Sequence, residues 1–375
     1  MKKRYIALLF AFIFSISINI QTFAKEIVTS DFVEVFEIKS NNYEELPIDT
    51  ALDKAIKNST SVKINSLTLQ LNEKQEEQAS ESYFSFFSSN TSDRLSEFLS
   101  LMRQRATIKN NESEKKVLEE KLKYEMTDAY INILNLEREI QLLETSLKIE
   151  TSNLRISKEK QILGLITEQE YNNLQLAYEK NKVNLETRKK SLNSAYATLN
   201  ILIGEDDTTK KYRLLIEPKM EYLELNSDIE IYAQSRAEQS ATVEQLIRNV
   251  DIAKNSVKLG GALASASEIS NMSNENTLAQ AEMNLNDTKV ELKNRIVDTY
   301  NSIIQLEENF ENNMKELESL KHELKIAQAK YEMNLITENT LESTKYNVAN
   351  MENTLISQMY EHMQLVEKIK NANLI

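Results

Sequence analysis

From Leu122 onward the apolar positions step by four and three residues: Leu122, Met126, Ala129, Ile133, Leu136, Ile140, Leu143 and Leu147. That spacing keeps one face of an α-helix apolar and forms the seam of a coiled coil. Adding 170 to each number gives Leu292, Ile296, Thr299, Ile303, Leu306, Phe310, Asn313 and Leu317, and the second series runs on through Leu320, Leu324, Ala327 and Tyr331. Asp128, Tyr130 and Glu137 recur as Asp298, Tyr300 and Glu307, so the repeat extends beyond hydrophobicity. The pattern restarts as Tyr171, Leu174, Tyr178, Asn181, Leu185, Arg188, Leu192, Ala195, Leu199, Leu202, and again as Leu341, Thr344, Val348, Met351, Leu355, Gln358, His362, Leu365. Each half of the chain therefore reads as a long helical hairpin. The outgoing arms, about Asn111 to Leu163 and Asn276 to Met333, would run on the order of 80 Å at 1.5 Å per residue.

Several arms carry apolar residues beside the main seam, such as Ile131 and Leu134 or Leu142 and Ile149. One seam serves one neighbour, so a second stripe suggests helices packed on both sides, in a ring or in a thick bundle. Four glycines and two prolines in 375 residues leave few places for turns. Gly164, Gly204 and Gly260-Gly261 each close a periodic run, and Pro47 and Pro218 precede the two halves. The expected organisation is a leader at 1–24, an N-terminal arm at 25–47, a first hairpin repeat at 48–204, a linker at 205–227 and a second repeat at 228–375. The linker holds a candidate strand at Tyr212 to Ile216, and the arm alternates weakly around Val33, Val35 and Ile38.

The two arms of each hairpin meet at nearly the same word, "LGLITEQEY" and "MNLITENTL". A helix commonly ends on a residue in the left-handed conformation, for which Gly and then Asn are favoured, and Gly164 and Asn334 occupy that place. Thr167 and Thr337 can cap the next helix, the first with Glu170 as a capping box. Ile166 and Ile336 fall where a hydrophobic staple reaches Tyr171 and Leu341. Leu165 and Leu335 have only Lys160 and Lys330 opposite them, so an exposed contact role stands open for both leucines beside a purely local one.

Composition narrows the function. Lys2-Lys3-Arg4, an uncharged apolar run from Tyr5 to Ile20 and a small-residue ending at Ala24 predict an export signal, with an uncleaved anchor as the alternative. Removing it leaves 42 basic against 58 acidic residues and a net charge of −16. Nucleic acid is not an expected partner of so acidic a chain. The absence of cysteine excludes disulfides and thiolate metal sites. His322 and His362 are the only histidines, neither has a neighbour at metal-ligand spacing, and there is no Gly-rich phosphate loop. No cofactor, no metal and no catalytic activity are expected.

An export signal, tandem hairpin repeats, a "GLIT"-type tip in each, "DAYINIL" in an outgoing arm and "LNILIG" closing the first return arm resemble the TolC-like family of outer membrane efflux proteins. The resemblance covers nearly the whole chain beyond the leader. It implies an all-α chain of coiled-coil hairpins, a homotrimer forming an α-helical barrel, and a passive duct in the cell envelope, either in the outer membrane or in the periplasm or wall space. It further implies docking of a membrane-fusion adaptor protein and an inner-membrane pump through Gly164, Leu165, Ile166, Thr167, Asn334, Leu335, Ile336 and Thr337. An acidic pair that narrows the pore in well-known members falls at Thr340 and Ser343 here, so that gate is not carried over; Glu338 and Glu342 are the nearby candidates.

The chain departs from the family where two membrane strands per repeat are expected, each needing about 9–11 alternating residues. Only Tyr83 to Phe87 is strand-like in the first half, "DRLSEFLSLM" reads as helix, and "GGALASASEISNMSNEN" in the second half is small and polar. Little or no membrane β-barrel is expected. The rival reading is an exported coiled-coil spacer or adaptor-like protein that encloses no channel.

Overall fold

A computed structural model describes residues 27–28, 43–85, 91–262 and 268–375. The leader and most of the N-terminal arm, including Val33, Val35 and Ile38, lie outside them. Eight α-helices follow in order: α1 (Ile48–Asn58), α2 (Thr60–Ser85), α3 (Thr91–Ile162), α4 (Glu168–Ile203), α5 (Ile229–Glu238), α6 (Ala241–Ala262), α7 (Glu268–Glu332) and α8 (Glu338–Lys370). The strands are β1 (Ile27–Val28), β2 (Glu44–Pro47), β3 (Tyr212–Leu215) and β4 (Lys219–Met220). The fold is all-α, two tandem long hairpins, and among the described residues no strand approaches the length of a membrane strand.

The hairpins are α3 with α4 and α7 with α8, and the seam positions carry them. Met126, Ile133, Ile296, Ile303, Phe310, Leu199, Val348 and Leu355 are fully buried, and Leu122, Leu136, Leu292, Leu306, Leu317, Leu185 and Leu341 are nearly so. The hairpins lie side by side through α3 and α8, giving a row ordered α4–α3–α8–α7 toward the tips. In the other half α2 packs on α3, α3 on α6 and α6 on α7, so the row becomes α2–α3–α6–α7. At one outer edge α7 runs the whole length; α4 and α2 share the other.

Both long arms begin earlier than their periodicity shows: α3 starts at Thr91 and α7 at Glu268 rather than near 111 and 276. The start of α7 is rich in Ser and Asn, which blur the apolar stripe without preventing helix formation when α6 supplies packing, while the start of α3 is the stretch "DRLSEFLSLM" that already read as helix. The strand-like Tyr83–Phe87 is corrected on the same ground, because Tyr83, Phe84 and Ser85 complete α2; Phe86 and Phe87 lie outside the described residues. Gly260 does not stop α6, which runs two residues on. Pro47 is the N-cap of α1, whereas Pro218 leads into β4 and α5 begins only after the Asp228 cap.

The linker is strapped to the roots of both hairpins. β2 pairs in parallel with β3, Glu44 opposite Tyr212, and β1 pairs antiparallel with β4. Three tyrosine hydroxyls hold these straps: Tyr130 donates to Leu46 O at 2.9 Å, Tyr196 to Tyr212 O at 3.0 Å and Tyr360 to Ile216 O at 3.2 Å. The duplicated Glu137 and Glu307 face the same region. Tyr196 Oη, with one proton for two acceptors, also lies 2.8 Å from Glu137 Oε1; Glu307 meets His362 Nε2 at 2.8 Å and accepts the Leu223 backbone N–H at 2.9 Å. The seam position of His362 is therefore a buried polar one, 2 % exposed.

Candidate functional site

Both tips are built by the same backbone device. At the first, Leu165 N donates to Lys160 O at 2.8 Å and Gly164 N to Gln161 O at 3.0 Å; at the second, Leu335 N donates to Lys330 O at 2.8 Å and Asn334 N to Tyr331 O at 2.8 Å. Paired bonds of this kind close a helix only if the residue between turn and loop is left-handed. Gly164 has φ +69°, and Asn334 at +57° is the non-glycine residue that adopts this region among the described residues.

The following helices start on threonine caps, with one difference. Thr167 Oγ1 accepts from Glu170 N at 3.1 Å while Glu170 Oε2 accepts from Thr167 N at 2.7 Å, a closed capping box. The backbone and hydroxyl donors of Thr167 hold the Glu170 carboxyl below the usual carboxylate range. At the second tip Thr340 replaces the glutamate: Thr337 Oγ1 accepts from Thr340 N at 3.2 Å, and the two hydroxyls are 2.9 Å apart. Ile166 and Ile336 are half-buried, as is Tyr171, and Leu341 is buried. Leu165 and Leu335 are not, at 69 % and 67 % exposed. With Ile162, Leu163 and Met333 they form an apolar end at each hairpin.

The structure also ties the second tip to α3, nine residues before that helix ends at Ile162, which the sequence did not disclose. Asn339 Nδ2 in the first turn of α8 donates to Asn153 Oδ1 of α3 at 2.6 Å. The same α3–α8 boundary is polar along its length, with Gln364 to Asp128 at 2.9 Å, Arg138 to Asn353 at 3.2 Å and Lys123 to Glu367 at 3.4 Å. Partners more than 180 residues apart leave no periodic signal; only the recurrence of Asp128 as Asp298 hinted that the arm had a polar face to use.

Of the four candidate pore-entrance positions, Glu338 and Thr340 are exposed, and Thr340 belongs to the cap. Glu342 pairs with Lys345 at 2.7 Å and Ser343 Oγ donates to Asn339 O, so both are engaged within α8. Groups of three or more potential metal-ligating side chains are absent among the described residues.

No protein-family model and no curated protein matches the chain. Solved structures do. The outer membrane protein VceC from Vibrio cholerae superposes with a TM-score of 0.64 at 13 % identity, covering 87 % of this chain and 96 % of its own. The channel protein CusC gives 0.61 at 12 % identity over 90 % and 96 %, and the CmeC outer membrane channel of Campylobacter jejuni 0.59 at 12 % over 87 % and 85 %. The resemblance read from the tips and the duplication is thus a likeness of the whole fold, shared with outer membrane channels.

Proposed function

We propose that this chain is one protomer of a passive, trimeric helical duct of the cell envelope, which docks a membrane-fusion adaptor and an inner-membrane pump through its hairpin tips. The observation that carries the reading is the open row α4–α3–α8–α7, an arrangement with two outer edges, both apolar. Leu174, Leu176 and Val183 on α4 and Ile64, Leu67 and Leu71 on α2 are 46–65 % exposed along one edge. Met272, Met283 and Val290 on α7 are 49–63 % exposed along the other. Their spacings of eleven and seven residues keep them on one face of the helix. Edges that differ from one another favour a head-to-tail contact, and such contacts close into rings. Three copies would supply twelve helices.

On this reading Leu165 and Leu335, held out by locked turns, are the contact residues for the adaptor, with Gly164, Asn334, Thr167 and Thr337 setting their geometry and Ile166 and Ile336 bracing the turn. Glu338 and Thr340 lie beside the entrance. The duct itself performs no chemistry and holds no cofactor, so any energy comes from the partner pump.

Light scattering of the exported chain in plain buffer tests the assembly, with a trimer expected. A monomer or dimer would return the protein to the spacer or adaptor class. Leu165→Arg with Leu335→Arg tests the tips: adaptor capture falls by about a hundredfold, as for loss of two apolar anchors, while native mass and helicity stay unchanged. Undiminished capture would remove the tip assignment.

A further inference from the structure

We propose that the cleft where α8 ends and α6 begins binds a small oxyanion of the phosphate or sulfate type. The proposal concerns a single chain and does not require the duct reading. The row changes partner at this place: α8 stops at Lys370 and α6 starts at Ala241, and both pack on α3 and α7. Asn373 bridges the handover, its Oδ1 accepting from Ala241 N at 2.9 Å and its Nδ2 donating to Glu120 Oε2 of α3 at 3.0 Å. Two helix ends joined by such a bridge do not close the row, and a cleft of about 330 Å³ remains beside it, lined by one stripe from each of α3, α6 and α7.

The three stripes bring donors together in excess. Arg248 of α6 is held by Nε, which donates to Asn110 Oδ1 at 2.7 Å, and by Nη1, 3.5 Å from Glu244. Its Nη2 is shielded from solvent and has no hydrogen-bond partner among the described residues. Arg295 of α7 pairs through Nη2 with Glu291 at 2.6 Å, while its Nη1 reaches only Ile375 O at 3.4 Å. Lys121 of α3, Thr242 of α6 and Thr288 of α7 line the same cleft and have no side-chain partner among the described residues. The acids are balanced: Glu291 pairs with Arg295, Glu244 with Arg248, and Glu114 stands exposed two turns from Lys121 on α3. Once these charges cancel, a surplus of N–H and O–H groups is left facing the cleft. The repeat does not impose it, since the counterpart of Arg295 at the 170-residue offset is Glu125.

A shielded guanidinium nitrogen without an acceptor is costly, more so than a neutral donor. An anionic oxygen answers it with a shorter and stronger, charge-assisted bond than water does. The donors come from three helices and so approach from three sides. A tetrahedral oxyanion offers acceptors in all of those directions, whereas a planar carboxylate fills a single fork. The net charge of −13 does not oppose binding. Exposed charges more than about 8 Å away are largely screened at physiological ionic strength, and within that range the cleft is close to neutral. A bound oxyanion ties α3, α6 and α7 together at the handover and stabilises the fold by mass action.

Isothermal titration of the exported chain with sodium phosphate at pH 7, against sodium chloride of equal ionic strength, tests the site. One saturable site per chain is expected, with sulfate competing and acetate at least about tenfold weaker. Arg248→Lys keeps the charge and gives up the fork, and it weakens phosphate binding at least about tenfold. Lys121→Gln and Thr242→Val remove side chains that bond nothing else in the described fold. Both variants keep the helicity and the phosphate-free melting temperature of the parent, and each binds phosphate about threefold to tenfold more weakly. Arg213→Gln, which removes the partner of Glu45 at the linker strap, binds as the parent does. Phosphate raises the melting temperature of the parent and leaves that of Arg248→Lys unmoved. No saturable heat, equal binding of acetate, or parent-like binding by all three cleft variants overturns the proposal. So does an equal loss in Arg213→Gln, which would report net charge and not a site. Native mass from the same samples reports separately on the duct.

Discussion

Thr167 and Thr337 occupy the same position in two copies of one turn, yet only the first is coupled to a titrating group. Glu170 is held below the ordinary carboxylate value by the Thr167 backbone and hydroxyl donors. A depressed acid contributes stability that is present above its unfolded value, near 4.3, and lost as pH falls through the lower folded value. Protection of the Glu170 and Tyr171 amides against exchange, relative to the intrinsic rate at each pH, should therefore fall below about pH 4, while that of Thr340 and Leu341 stays flat. Glu137 has the opposite sign: burial raises it, against the lowering by Tyr196 and the nearby cations. Its contribution is complete below the unfolded value and is lost as pH rises through the folded one. Glu137→Gln, which still accepts from Tyr196, should thus raise the melting temperature at pH 7 and match the parent near pH 4. The left-handed tips and the capping box were legible in the sequence because each depends on residues within six positions. The buried meeting of Glu307 with His362 was not, since a histidine on a seam carries no mark of the acid facing it from another helix.

Among the helices, the glycines separate ends from close approaches. Gly204 caps α4 at φ +73°, and a Cβ there would stand 2.7 Å from Asn58 Cγ, whose side-chain amide donates to Ile201 O. Gly204→Ala therefore meets both a backbone penalty and a crowded α1 terminus, and should lower stability by about 1–2 kcal/mol in a denaturant titration. Gly260 lies in the last turns of α6 with helical backbone, and its Cβ would meet only the side-chain ends of Asn271 and Asn274. Gly260→Ala should be neutral or stabilising by up to ~1 kcal/mol once those amides turn aside. The hairpin arms themselves were legible from the seam, although two of its tip-ward positions, Leu174 and Tyr331, prove exposed. The distal reach of α3 showed in "DRLSEFLSLM", whose Leu95, Phe98, Leu99 and Met102 recur at helical spacing, whereas that of α7 was hidden, because its Ser- and Asn-rich start gives no stripe and packs against α6.

For the molecule as a whole the decisive feature is a row of helices with two unlike apolar edges. Seam counting suggested neighbours on both sides of each helix but could not say which helices would lack one. The structure assigns that place to α7 on one side and to α4 with α2 on the other. Heights along the row can be matched through hydrogen bonds: Gln104 of α3 bonds Asn72 O and Gln75 of α2 at 3.2 and 3.0 Å. Continuing antiparallel, Ser113 stands near Asn65; Arg248 of α6 bonds Asn110 of α3 and Lys254 of α6 pairs with Glu282 of α7, which places Val290 of α7 near the height of Ser113. Ile64 and Leu67 on one edge are thus nearly level with Val290 on the other. A chain without cysteine allows this to be read covalently. Leu67→Cys combined with Val290→Cys puts one thiol on each outer edge, too far apart across four helices to join within a chain. Oxidation should give dimer and trimer bands and no higher species, and each single variant should stay monomeric on a denaturing gel. A ladder running beyond three would mean that the head-to-tail contact fails to close, and monomer alone from the double variant would mean that these edges do not meet.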